Sequence, residues 1–204
     1  MWKTTNSKMG IITAGKSYND VREALRWLNI DENKAKELGI CIYKVGMPWP
    51  LEPHGVRDFC ECLDTVLVVE EKRELIEHQV KWQLYNWKES VRPTVIGKQD
   101  EYGSWLLPPE NDLPLQTIVE AISTRLHKIT NDSELLKSLD WFKSRNEEQN
   151  NLEAPIIRKP FFCSGCPHNS SLKVPEGKRA LGGIGCHYMA CLLYTSDAAD
   201  EGLG

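Results

Sequence analysis

Apolar residues follow two kinds of pattern along the first half of the chain. Short apolar runs rich in Val, Ile and Thr predict strands at residues 9–13, 40–45, 65–70 and 94–97. Between these runs, apolar residues spaced three and four positions apart predict helices at residues 17–28, 56–63 and 71–86. Strands that alternate with helices are typical of a mostly parallel sheet covered by helices. The pattern therefore predicts an α/β fold.

The second half of the chain is helical at first and then polar. Helices are predicted at residues 113–129 and 133–144. The polar run NEEQNNLEAP, residues 146–155, ends in proline and predicts a linker between domains.

The third predicted helix has two kinds of apolar residue. One stripe is best explained as core contact, and its members are Leu75, Ile76, Val80, Leu84 and Trp87. Trp82 and Tyr85 lie off that stripe. They are candidates for contact with another domain, although isolated exposed aromatic residues are common.

A stiff loop is predicted after the second strand, where MPWPLEPHG, residues 47–55, holds three prolines. The carboxyl ends of strands in open α/β sheets commonly carry function. The alternative is a rigid connection that packs against a neighbouring domain. We favour that alternative because no cluster of titratable residues accompanies the loop in the sequence.

The string GIITAGKS, residues 10–17, matches the phosphate-loop template G-x-x-x-x-G-K-S/T. A phosphate loop needs a buried strand before its first glycine, and the residues that precede Gly10 are mostly polar. The apolar run lies inside the string instead, which leaves a loop too short to surround phosphate. A nucleotide hydrolase that uses Lys16 is therefore a rival interpretation that we do not adopt.

Composition narrows the class of protein. With 204 residues, of which 41% are hydrophobic, the chain is able to bury an ordinary core. Its net charge of −4 and the lack of a basic stripe argue against nucleic acid as a partner. No apolar run reaches about 18 residues, and no secretory leader is recognisable. We expect a cytoplasmic protein that binds neither nucleic acid nor membranes.

Three of the seven cysteines are expected to be structural. Cys41 lies in a predicted strand, and Cys60 and Cys62 flank Glu61 on a predicted helix. Free cysteine is commonly buried as a small apolar side chain. We expect that role for all three.

Three other cysteines form a candidate metal site. Cys163 and Cys166 have C-x-x-C spacing, and Cys186 follows in the glycine-rich run GGIGC. Three thiolates are suited to a 4Fe–4S cluster, which requires a fourth ligand. A structural zinc site and unliganded thiols are the alternatives. His168 is a candidate metal ligand, a cofactor contact or a turn residue.

Longer stretches resemble a known family. FCSGCPHNSSLKVPEGKRALGGIGCHYMA resembles the start of the thiamine-diphosphate-binding domain of indolepyruvate:ferredoxin oxidoreductases, in their fused bacterial form. Four upstream stretches resemble the transketolase-C-terminal-like domain that precedes it in such enzymes: GIITAGKSY, YKVGMPWPLEP, VVEEKRELIE and VIGK. The resemblance spans roughly residues 9–190, and it makes the phosphate-loop match accidental.

The resemblance implies an activity and its cofactors. Such enzymes oxidatively decarboxylate aryl 2-oxoacids with thiamine diphosphate and Mg²⁺, pass electrons through iron–sulfur clusters to ferredoxin, and transfer the acyl group to coenzyme A. Cys163, Cys166 and Cys186 would ligate the 4Fe–4S cluster beside thiamine diphosphate. His168 and the backbone around Cys186 would contact thiamine diphosphate. The full-length protein is expected to be an oligomer.

The resemblance also implies domains. Residues 1–130 form a transketolase-C-terminal-like domain, and residues 131–158 form a helix with linker. Residues 159–190 are the truncated start of the thiamine-diphosphate-binding domain, and residues 191–204 are a tail. The tail resembles a translated sequencing adapter, so Cys191 is not expected to be a ligand.

The chain lacks the Gly-Asp-Gly that holds the magnesium diphosphate in this superfamily, and the fourth cluster cysteine would lie beyond it. We therefore expect an internal fragment that is inactive alone. A non-catalytic metal-binding or electron-transfer scaffold built on the same three cysteines is the alternative function.

Overall fold

The computed structural model describes residues 7–110, 112–130, 132–150, 161–178 and 185–189. The chain divides into two compact units, Met1–Asn151 and Leu152–Gly204. Within the described residues, no helix is both long and apolar enough to cross a membrane.

A four-stranded parallel sheet forms the centre of the first unit, as the alternating pattern predicts. Its strands are β1 (Met9–Ala14), β2 (Ile40–Val45), β3 (Thr65–Val69) and β4 (Thr94–Ile96). Their order is β2-β1-β3-β4, and every neighbouring pair is parallel. Residues of β1 and β3 are buried on both faces, which is why their sequences are nearly continuous apolar runs.

Helices connect and follow the strands. In chain order they are α1 (Gly15–Trp27), α2 (Glu32–Glu37), α3 (Pro53–Cys60), α4 (Ile76–Leu84), α5 (Leu115–Ile129), α6 (Ser133–Asn150) and, in the second unit, α7 (His168–Ser171).

Two apolar clusters enclose the sheet, one on each face. The first packs α1, α5 and α6 against one side, with Ile11, Leu25, Leu67, Ile122 and Phe142 among its members. The second packs α3 and α4 against the other side, with Ile12, Phe59, Val66, Val80 and Leu84 among its members. The first unit is therefore a three-layer α/β/α arrangement.

Several predicted boundaries are wrong. α4 begins at Ile76 rather than residue 71, and Leu75, which we expected in the core stripe, is exposed. α6 continues to Asn150, through the first half of the predicted linker. α2 was not predicted, because its six residues are polar apart from one alanine.

The three cysteines expected to be buried differ from one another. Cys41 and Cys60 are fully buried, as predicted. Cys62 is exposed, so the prediction for it is wrong. It lies beyond the end of α3 with a φ of 64°, in a turn that carries its side chain out of the core.

Candidate functional site

The carboxyl edge of the sheet is the first place to look for function, because open α/β sheets usually bind ligands there. A buried charged network follows β3 and β4 at this edge. Glu70 comes directly after β3, Lys98 lies two residues after β4, and Glu77 lies in the first turn of α4. All three side chains are almost completely buried.

The Glu70 carboxylate caps the first turn of α4. One oxygen accepts hydrogen bonds from the backbone N–H groups of Leu75 (3.1 Å) and Ile76 (2.8 Å), and the other from that of Glu77 (2.9 Å). Burial raises the pKa of Glu70, while the three N–H donors favour its ionised form. The cap therefore satisfies N–H groups that a helix start leaves without partners.

Glu77 and Lys98 join α4 to the end of the sheet. Glu77 accepts from the backbone N–H of Lys98 (2.8 Å) and from Nζ of Lys81 (2.6 Å). Lys98 Nζ donates to the carbonyl oxygen of Glu70 (2.5 Å), and burial lowers the pKa of Lys98. Glu70 and Glu77 belong to the stretch VVEEKRELIE and Lys98 belongs to VIGK, so the two stretches are joined in one hydrogen-bonded network. Sequence reasoning missed its members, although acids directly after a buried strand were a visible signal.

The string GIITAGKS does not form a phosphate loop. β1 extends to Ala14 and α1 begins at Gly15, so no loop separates strand from helix. Lys16 Nζ donates to Asp20 and Glu71, each at 2.9 Å, and these hydrogen bonds raise the pKa of Lys16. Its ammonium group is paired with two carboxylates, one in α1 and one after β3.

The proline-rich loop between β2 and α3 is held against α4 by Gln79. Gln79 Oε1 accepts from the backbone N–H of Leu51 (2.7 Å), and its Nε2 donates to the carbonyl oxygen of Pro48 (2.8 Å). Leu51 is buried, whereas Met47 and Trp49 are exposed. The loop is therefore fixed at both ends and presents two large apolar side chains to solvent.

The second unit contains the C-x-x-C sequence as a tight turn. The backbone N–H of Cys166 donates to the carbonyl oxygen of Cys163 (3.1 Å). Gly165 has a φ of 74°, which only glycine adopts readily. Asn169, in α7, donates its side-chain amide to the same carbonyl oxygen of Cys163 (3.0 Å). The Cys163 thiol is exposed and that of Cys166 is half-buried.

His168 relates this turn to the segment of Cys186. Its ring lies 5.7 Å from the ring of His187 and 5.9 Å from that of Phe162, measured between centroids. The turn and the exposed Cys186 are therefore on neighbouring segments. His168 Nδ1 is buried and has no hydrogen-bond partner among the described residues. Sequence reasoning did not identify His187.

The donor set suits a sulfur-preferring metal, but a ligand cluster is not assembled within the described ranges. Across those residues, no group of three or more His, Cys, Asp or Glu side chains is arranged to hold a metal ion. Gly182, Gly183 and Cys191 lie outside the described residues. The assignments of Cys163, Cys166, Cys186 and His168 remain predictions. The His168 nitrogen that lacks a partner in the described part of the chain is suited to contact with a further group.

Comparison with known proteins decides the family. The family model described as the indolepyruvate oxidoreductase domain matches residues 1–148. This chain belongs to that family. The range of this chain that matches the indolepyruvate oxidoreductase domain holds the sheet and the charged network, and it ends before Cys163.

Curated relatives extend beyond the domain match. Indolepyruvate oxidoreductase subunit IorA from Thermococcus kodakarensis is 31% identical over 195 residues, which are 92% of this chain and 26% of the relative. The protein of the same name from Pyrococcus abyssi is 29% identical over 194 residues, with the same coverage. The chain thus spans about a quarter of the length of these relatives.

Solved structures align at low scores. A split-gene transketolase aligns with a TM-score of 0.41 and 15% identity, over 61% of this chain and 40% of its own. The 2-oxoglutarate:ferredoxin oxidoreductase from Magnetococcus marinus aligns with a TM-score of 0.40 and 18% identity, over 62% of this chain and 19% of its own.

Proposed function

We propose that this chain is an internal part of a thiamine-diphosphate-dependent oxidoreductase. The whole enzyme converts aryl 2-oxoacids such as indolepyruvate to aryl-acetyl-CoA and passes the electrons to ferredoxin. The observation that carries this proposal is the match of residues 1–148 to the indolepyruvate oxidoreductase domain. The names of the curated relatives support it. The 204-residue chain alone is inactive in this proposal.

Within that enzyme, we assign the first unit a structural role and the second unit a role at the cofactors. The buried Glu70, Glu77 and Lys98 network maintains the carboxyl edge of the sheet, and its two carboxylates are held by hydrogen bonds to backbone N–H groups. The first unit therefore supports a site that is completed elsewhere in the polypeptide.

The C-x-x-C turn supplies two thiols, and Cys186 supplies a third. When bound, a 4Fe–4S cluster accepts single electrons, and thiamine diphosphate provides the electron sink for decarboxylation. The hydrogen bonds to the Cys163 carbonyl oxygen fix the backbone of the turn that carries both cysteines. His168 Nδ1, which has no hydrogen-bond partner among the described residues, is available for a polar contact with thiamine diphosphate.

The test begins with the gene. We would sequence the source DNA on both sides of this fragment and express the complete reading frame without oxygen. We expect a Gly-Asp-Gly beyond the present chain, and reduction of ferredoxin that requires indolepyruvate, coenzyme A, thiamine diphosphate and Mg²⁺. A reading frame that stops after Gly204 would instead favour the metal-binding scaffold.

The proposed ligands are tested in the same protein. Cys166→Ser should remove about four iron atoms and the matching acid-labile sulfide per chain, because thiolate ligation is lost. Cys62→Ser is the matched control, since Cys62 is exposed and lies in the first unit. Full iron content in Cys166→Ser would reject the ligand assignment, and zinc in place of iron and sulfide would favour a structural site.

A further inference from the structure

Five large apolar side chains are exposed on the α4 side of the sheet. The exposed fractions are 57% for Met47, 65% for Trp49, 44% for Leu75, 75% for Trp82 and 74% for Tyr85. Leu75 directly precedes α4, Trp82 lies within it and Tyr85 directly follows it. Their spacings of seven and three residues place all three on one face of the helix. We refer to these five residues as the aromatic face.

Two glutamines of α4 place the loop beside the helix. Gln79 binds Leu51 and Pro48 on either side of Trp49, and Gln83 Nε2 donates to the carbonyl oxygen of Leu51 (3.0 Å). Gln79 Nε2 also donates to the carbonyl oxygen of Leu75 (2.9 Å). The loop therefore runs along the same stretch of α4 that carries the exposed helix residues.

The aromatic face is preorganised. The opposite side of α4 contributes Ile76, Val80 and Leu84 to the core, so the helix is not free to rotate its exposed residues inward. Single exposed apolar residues need no explanation, but several on one rigid support are typical of an interaction surface. Binding to such a surface requires little ordering of side chains, and aromatic residues are the usual centres of binding energy.

The lysine that precedes Trp82 on α4 is already paired. Lys81 lies on α4 next to Trp82, and its ammonium group already donates to Glu77 at 2.6 Å. The five side chains of the face themselves offer a partner mostly apolar contact.

We propose that the aromatic face is covered by a domain of the same polypeptide that lies outside residues 1–204 and presents an apolar surface. This rests on the proposed function, in which the chain is part of a longer protein. The curated relatives match this chain over only 26% of their length, so most of such a polypeptide is available to cover the face. A domain joined by a linker acts at an effective concentration on the order of millimolar, well above that of a separate copy in solution.

The proposal is tested by hydroxyl-radical footprinting with mass spectrometry. The 204-residue chain is compared with the polypeptide from the complete reading frame. We expect Trp49 and Trp82 to be oxidised several-fold more slowly in the longer polypeptide, because the covering domain excludes water from both.

A substitution separates docking from general shielding. In the longer polypeptide, Trp82→Glu should return the oxidation rate of Trp49 to that in the 204-residue chain. Tyr102→Glu is the matched control, since Tyr102 is an exposed aromatic residue outside the aromatic face, and Trp49 should stay protected in it. Circular dichroism of the Trp82→Glu short chain checks that this substitution leaves the fold intact.

Two results would overturn the proposal. Equal oxidation of Trp49 and Trp82 in both proteins would show that the face is uncovered. Protection in the short chain that disappears on dilution would show that a second copy is the occupant. Indolepyruvate-dependent activity without protection would reject only this inference, whereas protection without activity would reject only the proposed function.

Discussion

Gly97 directly follows the last strand of the sheet, at a point where there is no room for a side chain. A Cβ built there would clash with Glu77 Oε2 and would lie 3.1 Å from the carbonyl oxygen of Val68. The Glu77 carboxylate occupies this space because it accepts a hydrogen bond from the backbone N–H of Lys98. A single missing side chain therefore lets α4 bind the end of β4.

We predict that Gly97→Ala destabilises the fold by about 1–3 kcal/mol, the usual effect of overpacking. Chemical denaturation followed by circular dichroism measures this free energy of unfolding. Gly46→Ala is the matched control, since a Cβ there meets nothing within 4 Å, and it should change stability by less than about 0.5 kcal/mol. Equal effects of the two substitutions would contradict the packing argument.

Glu101 is the clearest source of pH dependence. It accepts hydrogen bonds from Lys128 Nζ (2.9 Å) and from the buried Arg125 (2.5 Å). The Lys128 hydrogen bond is the largest cause that lowers the pKa of Glu101 from 4.5 to about 2, with Arg125 contributing.

A carboxylate whose pKa is lower in the folded state stabilises the fold above its unfolded pKa. We therefore predict that this contribution, roughly 0.5–1 kcal/mol for an accessible ion pair, is present above pH 4.5 and is lost as the pH falls toward 2. Unfolding free energies of the wild type and Glu101→Gln, measured across this range, should converge at low pH. A constant difference between them would contradict the assignment to Glu101.

At the scale of the element, α4 has more roles than its nine residues suggest. One side belongs to the core, its first turn is capped by Glu70, and its glutamines hold the proline-rich loop. The loop therefore depends on α4 for its conformation.

We predict that Gln79→Ala destabilises the fold by about 1–3 kcal/mol, because the buried backbone N–H of Leu51 loses its partner. Hydrogen exchange should show faster exchange of the Leu51 amide. His78→Ala, which changes the exposed residue of α4 just before Gln79, is the control and should leave that amide unchanged. Unchanged exchange in Gln79→Ala would mean that the loop holds its own conformation.

The sequence predicted the elements that apolar spacing defines, and it failed where side chains meet across the fold. All four strands and the long helices follow from their buried stripes. The start of α4 was misplaced because Glu70 caps it from five or more residues away, a contact that periodicity does not show. Cys62 was misplaced for a similar reason, since its backbone leaves the helix before its side chain reaches the core.

The sequence predicted which residue types form the candidate site, but not how their segments lie in space. The spacing of Cys163 and Cys166 indicated a tight turn, and the structure contains that turn. Residues 179–184, between it and Cys186, lie outside the described residues, so the convergence of the three thiols stays a prediction. The proximity of His187 to His168 was not predictable, because it depends on how two distant segments lie in space.

At the scale of the whole molecule, the first unit contains its own core. The members of both apolar clusters run from Met9 to Phe142 and surround the sheet on its two faces. A unit of about this size buries enough surface to fold by itself.

We predict that a chain ending at Asn151 keeps the melting temperature of the first unit within about 2 °C. Thermal unfolding followed by circular dichroism at the same protein concentration makes the comparison with the 204-residue chain. A decrease of more than about 5 °C would show that residues 152–204 contribute to the stability of that unit.

The direct passage from β1 into α1 matters for motif searches of genome sequences. Any search for the eight-letter phosphate-loop signature will return this domain, and will do so for relatives that keep the same letters. The false match is recognisable without coordinates, because the apolar run falls between the two glycines of GIITAGKS and not before the first. Adding the position of that run to the search would separate such domains from nucleotide-binding proteins before any assay is chosen.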